Sequence, residues 1–182
     1  MFLKSKGKFH DALILFENIL NFYNQNLESV QGKAYITAAS STISILVSEG
    51  KYKRAEFLLN KAFGIAQQKQ MNAVKLRSLY LQRGALYLTL KNYDLSLLDL
   101  QKAKRAYEQI NDNTLQYSSC LSTLSTLYLE QQEYALSRIY ADESLYVALL
   151  NSTQDKPAGQ VLVSMSNVAF LYQNYAKNCR IA

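Results

Sequence analysis

One motif runs through this sequence five times: "KGKFHDALILFENI" from Lys6, "EGKYKRAEFLLNKA" from Glu49, "LKNYDLSLLDLQKA" from Leu90, "QQEYALSRIYADES" from Gln131 and "YQNYAKNCRIA" from Tyr172. Aligned on the aromatic residue (Phe9, Tyr52, Tyr93, Tyr134, Tyr175), the copies recur at intervals of 43, 41, 41 and 41. A fixed period in this range signals a solenoid, in which one supersecondary unit buries its apolar face against the next copy of itself. Three positions beyond the aromatic stands a small or polar residue (Ala12, Ala55, Ser96, Ser137, Asn178), and four further on a mostly apolar one (Phe16, Leu59, Leu100, Ala141, Ala182). Ile19, Ala62, Ala103 and Ser144 follow three residues later. Steps of three, four and three trace one face of a helix.

A second periodic segment precedes the motif. It reads "YLQRGALYLTL" before Tyr93 and "LSTLSTLYLEQ" before Tyr134. Small residues at Gly84 and Ser125 predict close approach of two helices, and Tyr87 and Tyr128 are placed to fill space between neighbouring hairpins. One Pro and six Gly in 182 residues argue against a turn-rich β protein. Each unit therefore reads as a helix hairpin, with helices of roughly 15–18 residues, about 25 Å long. "NDN" (111–113) and "NSTQDKP" (151–157) supply turn and cap chemistry.

Tyr80, Gly84, Tyr87, Tyr93, Leu100 and Ala103 give the chain its resemblance to the tetratricopeptide repeat (TPR) family, as a long-repeat variant. It departs from the family pattern at Arg83, which takes a usual Leu position, at Ser96 and Ser137 in place of Ala, and in lacking the terminal Pro. Without that Pro the second helix can run on by another turn or two. The resemblance implies an all-α fold, a right-handed α-α superhelix of about four and a half repeats, with units near 1–28, 29–69, 70–111, 112–152 and 153–182. Little of a first helix precedes Phe9, and the last motif stops at Ala182 without an evident polar cap, so the chain reads as a piece of a longer protein.

Charge and composition narrow the function. The net charge of +6 is uneven: residues 1–110 hold 16 Lys and Arg against 8 Asp and Glu, and residues 111–182 hold 4 against 6. No dense basic tract interleaved with aromatics appears, so nucleic acid is not expected as a partner. Cys120, Cys179 and the single His10 cannot make an ordinary zinc site, and both thiols read as small packing residues. No Gly-rich phosphate loop or convergent acid–base set suggests an active site, so no catalytic residue, metal or cofactor is expected. No apolar run reaches the length of a membrane span. Of the fourteen tyrosines, those at motif positions (Tyr52, Tyr80, Tyr87, Tyr93, Tyr128, Tyr134, Tyr175) read as core, and Tyr35, Tyr117 and Tyr172 as more open to a surface role.

The resemblance also implies a concave groove lined by the first helix of each unit. Carried onto this sequence, the groove positions are Thr37, Ser40, Ser44 and Ser48; Ser78, Leu81, Ala85 and Thr89; Ser119, Ser122, Thr126 and Glu130; and Gln160, Val163, Asn167 and Leu171. These are short, hydroxyl-rich and nearly uncharged. A chaperone-type carboxylate clamp needs Lys, Arg and Asn there, because a carboxylate demands charged or bidentate donors. Backbone-holding asparagines of the pheromone-receptor kind are represented by Asn167 alone. Arg77 and Arg83 are the charged candidates for a ligand contact, with a structural ion pair as the alternative for Arg83. The reading is a protein- or peptide-binding scaffold, with a ligand-sensing module of a bacterial signalling protein as the alternative. A cytoplasmic location is expected, periplasmic if a bacterial membrane sensor is the parent, and self-association through the solenoid ends is a further expectation.

Overall fold

The computed structural model describes residues 2–25, 32–151 and 170. Those residues form seven helices: α1 (Phe2–Gln25), α2 (Gly32–Ser48), α3 (Tyr52–Gln68), α4 (Ala73–Thr89), α5 (Tyr93–Glu108), α6 (Leu115–Glu130) and α7 (Tyr134–Leu150). The hairpins α2–α3, α4–α5 and α6–α7 fall within the units near 29–69, 70–111 and 112–152. Each of their helices is 16 or 17 residues long, and the motif aromatics Tyr52, Tyr93 and Tyr134 open α3, α5 and α7. The first motif lies within the single long helix α1.

The first helix of each hairpin ends in a left-handed residue. Gly50, Lys91 and Gln132, at 41-residue intervals, have φ of 72°, 59° and 63°. The next amide reaches back five residues in every case: Lys51 N–H to the Leu46 carbonyl, Asn92 to Tyr87 and Glu133 to Tyr128, each at 2.8 Å. This geometry satisfies carbonyls that a helix C-terminus otherwise leaves bare. Gln70 and Asn111 do the same after α3 and α5, with Met71 N–H on the Ala66 carbonyl (2.9 Å) and Asp112 N–H on Tyr107 (3.0 Å). Asn111 is the first residue of the "NDN" turn, and Asn151, at the other turn, donates through its amide to the Asn113 carbonyl at 2.6 Å.

Small residues set the spacing inside the hairpins. A Cβ on Gly84 would stand 2.7 Å from Leu100 Cγ, so α4 and α5 touch there with no room for a methyl group. Ser96 Oγ donates to the Gly84 carbonyl (2.8 Å), and Ser137 Oγ to the Ser125 carbonyl (2.7 Å). Ser118 and Ser144 exchange reciprocal bonds to each other's carbonyls at 2.9 Å. The substitution of Ser for Ala in the motif thus keeps the side chain small and adds a cross-helix bond to a carbonyl already used by its helix.

Successive hairpins meet through the first helix of the later one, α4 against α2 and α3 and α6 against α5 and α4, whereas among the described residues α1, α3, α5 and α7 make no close backbone contact with one another. The stack is closed on the α2–α4–α6 side and open on the other. Two apolar clusters fill it, one from α1 to α4 around Ile36, Ile43, Leu59 and Leu79, the other from α4 to α7 around Leu100, Leu121, Leu124 and Leu127. Tyr80 packs against both.

The tyrosines correct the sequence reading. Tyr35 and Tyr117, expected to be open to the surface, are 1% and 5% exposed. The motif tyrosines Tyr52, Tyr80, Tyr87, Tyr93, Tyr128 and Tyr134 are instead half-buried. Tyr128 stacks on Tyr140 of its own hairpin, with centroids 5.4 Å apart, where a contact between hairpins was expected. The physical reason is register. Tyr35, Leu76 and Tyr117 occupy one repeat position facing the interior, and all three are buried. Tyr117 packs there against the buried Tyr107, with ring centroids 5.6 Å apart. Tyr172 and Tyr175 lie outside the described residues.

Candidate interaction groove

On the closed side, the expected groove positions form four rows, one residue from each of α2, α4 and α6. Three rows are accessible: Thr37, Ser78 and Ser119; Ser44, Ala85 and Thr126; Ser48, Thr89 and Glu130 are each exposed or half-exposed. The fourth row is a correction. Ser40, Leu81 and Ser122 are buried at 6%, 4% and 8% exposure. They sit where adjoining first helices touch, and Ser40 Oγ spends its proton on Ser78 Oγ across the α2–α4 contact at 2.9 Å. Gln160, Val163, Asn167 and Leu171 lie outside the described residues.

The accessible hydroxyls are acceptors more than donors. Thr37 donates to the Lys33 carbonyl, Thr89 to Ala85, Ser119 to Leu115 and Thr126 to Ser122, all at 3.0 Å, and Ser48 donates to Ile45 at 2.8 Å. Each proton is thereby committed to the helix's own backbone, and the hydroxyl oxygens of Thr37, Ser48, Thr89 and Thr126 keep accepting capacity. Such a surface suits N–H donors and cations. Glu130, the carboxylate of the rows, adds to that preference and stands 3.4 Å from the Tyr93 hydroxyl.

Neither arginine is offered to this surface. Arg83 forks onto Asp99, Nε to Oδ2 at 2.6 Å and a terminal nitrogen to Oδ1 at 2.8 Å, with its guanidinium 4.0 Å over the Phe63 ring. Its hydrogen bonding with Asp99 holds the guanidinium's pKa above its already high ordinary value, against the effect of burial. Arg77 bonds Asp112 through Nε at 3.0 Å and the Val74 carbonyl at 2.6 Å, and lies 5.4 Å over the Tyr107 ring. Both are structural ties, between α4 and α5 and between α4 and the turn after α5.

Other ionisable groups serve packing too. The Tyr117 hydroxyl lies 3.1 Å from Glu143 and 3.3 Å from Glu108, and burial, reinforced by these carboxylates, raises its pKa. Burial pushes the Cys120 thiol up to about 12, and its Sγ faces the Leu100 carbonyl at 3.6 Å. A thiol so placed is a poor nucleophile.

One feature lay beyond sequence reasoning. A cavity of about 340 Å³ opens between α1, α2 and α3, with Glu17, Asn24, Leu46, Arg54, Phe57 and Lys61 on its walls. Glu17 and Arg54 pair across it. Asn24 Oδ1 is buried there without a hydrogen-bond partner among the described residues. Three helices from two units build it, so no single stretch of sequence carried its signature.

No protein-family model matches the sequence, and no curated protein matches it. Solved structures do. BtubC (BKLC) from P. vanneervenii superposes with a TM-score of 0.73 at 13% identity, over 95% of this chain and 68% of that one. The nearly identical TPR-like repeats of a kinesin light chain candidate from Podosopora anserina are similar in two structures, one a single-residue variant. They give TM-scores of 0.66 and 0.63 at 12% and 11% identity, covering 97% of this chain and 82% and 83% of theirs. The chain has the TPR-like repeat fold, an all-α solenoid.

Proposed function

We propose that this protein is a non-catalytic scaffold that binds an extended peptide or a helix of a partner protein along the closed face of α2, α4 and α6. The observation that carries this reading is the accessible rows themselves. At successive units they hold Thr37, Ser78 and Ser119, then Ser44, Ala85 and Thr126, none larger than threonine. Short side chains let a partner's backbone come close, and the hydroxyl oxygens accept its amide N–H groups. The repeat fold supports protein interaction as the general role. The two arginines tied into ion pairs and the thiol held protonated give chemistry no foothold on this face.

The test is a selection of peptides from a displayed random library on the whole chain, followed by affinity measurement on Ser44→Arg/Thr126→Arg. Both positions are accessible, so the variant should fold normally while two long cations block the groove. Selected peptides should bind it at least about tenfold more weakly, a loss of about 1.4 kcal/mol. Unchanged affinity would exclude the groove as the binding surface.

A further inference from the structure

On the open side of the stack, each first helix floors a furrow between two outer helices: α2 between α1 and α3, α4 between α3 and α5, and α6 between α5 and α7. The second and third furrows fill themselves. In the second, Arg83 on the floor forks onto Asp99 of one wall, with its guanidinium 4.0 Å from the Phe63 ring of the other. In the third, Tyr128 on the floor stacks on Tyr140 of the wall, with centroids 5.4 Å apart and planes 3° from parallel. A flat group bridges floor and wall in both.

The first furrow has only short residues at the matching positions. Thr42 stands 41 residues before Arg83 and Leu58 41 before Asp99, Leu20 stands 43 before Phe63, and Leu46 lies two periods before Tyr128. None of the four carries a ring or a charge, and all four line the cavity of about 340 Å³. The cavity is therefore the space that the other units close with their own side chains.

Its lining has a definite chemistry. The leucines make it apolar within, and Thr42 Oγ1 donates to the Ala38 carbonyl at 2.8 Å, which commits its proton. Asn21 and Asn24 add neutral amides on the α1 side, and Phe57, 72% exposed, borders the cavity on the α3 side. Of the charged residues there, Glu17 and Arg54 neutralise each other. Lys61 is exposed and makes no ion pair among the described residues, so the lining is net positive. A cavity of about 150 Å³ takes up benzene; one of about twice that volume has room for two fused rings.

We infer that the first furrow binds a small free aromatic carboxylate of about two fused rings. The rings lie among Leu20, Leu46 and Leu58, where the other furrows hold a guanidinium or a tyrosine pair, and the carboxylate faces Lys61. The site lies across α2 from the groove and does not depend on it.

The probe is 2-naphthoate, titrated with the whole chain and read by the NMR linewidths of its ring protons. Its control, 2-naphthylmethylammonium, has the same rings and the opposite charge. The carboxylate should bind with a Kd of about 1 mM or tighter, as ligands of this size commonly do, and the ammonium at least about fivefold more weakly. Leu46→Tyr should abolish binding with the far-UV circular dichroism unchanged, because α4 and α6 carry tyrosine at that position. Lys61→Gln, at an exposed site, should weaken binding about threefold and decides the matter alone if Leu46→Tyr loses helix. Ser44→Arg/Thr126→Arg should bind as the parent does. No binding at millimolar ligand, equal binding of the two ions, or unchanged binding by Lys61→Gln would overturn the proposal. So would full binding to a folded Leu46→Tyr protein, or loss of binding in Ser44→Arg/Thr126→Arg, which would move the ligand to the groove.

Discussion

Arg83 stands where the repeat pattern asks for an apolar residue, and Asp99, 2% exposed and 2.6 Å away, is the reason the position holds. The two are unequally buried: the arginine keeps a quarter of its side chain in solvent. That asymmetry predicts unequal mutational costs. Arg83→Leu strands a carboxylate in the interior and should destabilise the protein by about 3–5 kcal/mol. Asp99→Leu should cost less, because the long arginine stem lets its charge swing toward water. The double variant Arg83→Leu/Asp99→Leu should recover most of the loss, since an apolar pair of similar volume often matches a buried ion pair. Urea denaturation of the four proteins closes the cycle. Additive costs in the double variant would mean that the pair does not act as a unit.

At the scale of the helix pair, two glycines predict opposite outcomes for the same substitution. Gly64, within α3, has nothing within 4 Å of where its Cβ would stand. Gly64→Ala should stabilise by about 0.5–1 kcal/mol, through helix propensity alone. Gly84 has Leu100 side-chain atoms at 2.7 and 2.8 Å and the Leu100 amide at 3.3 Å. The amide cannot rotate away, so Gly84→Ala should destabilise by about 1–3 kcal/mol despite the same propensity gain. Thermal melts of the two variants moving in the same direction would contradict this account. The Gly84 contact was legible in the sequence, because a small residue recurs there and at Ser125 on a helical face. The tyrosine register was legible too. Tyr35 and Tyr117 are separated by two periods with Leu76 between them, and that spacing marks an interior position as surely as the motif aromatics mark theirs. What sequence could not give was the split among the groove rows. Ser40, Leu81 and Ser122 share a helix face with Ser44 and Thr126, and only the contact between neighbouring first helices separates buried from open. The commitment of hydroxyl protons to their own backbone was likewise invisible, since it depends on rotamer and not on residue type.

At the scale of the whole stack, the two apolar clusters meet at α4, and no described residue of α6 or α7 reaches the cluster around Ile36 and Leu59. Contacts in a solenoid are between neighbours, so its stability is a sum of unit and interface terms and need not be lost all at once. Leu124, fully buried in α6, tests this. Leu124→Ala removes methyl groups from the second cluster and should cost about 2–5 kcal/mol there. Hydrogen exchange should then accelerate for amides of α6 and α7, less for α5, and remain at its original rate in α2 and α3. Equal acceleration from α2 to α7 would show that the clusters unfold as one body, with α4 transmitting the damage instead of absorbing it. The outcome bears on binding in the groove. A groove along α2, α4 and α6 spans both clusters, so a partner bound there links units that otherwise open separately. Such a partner should slow exchange in α6 and α7 of the Leu124→Ala protein, through contacts made on the far side of α4.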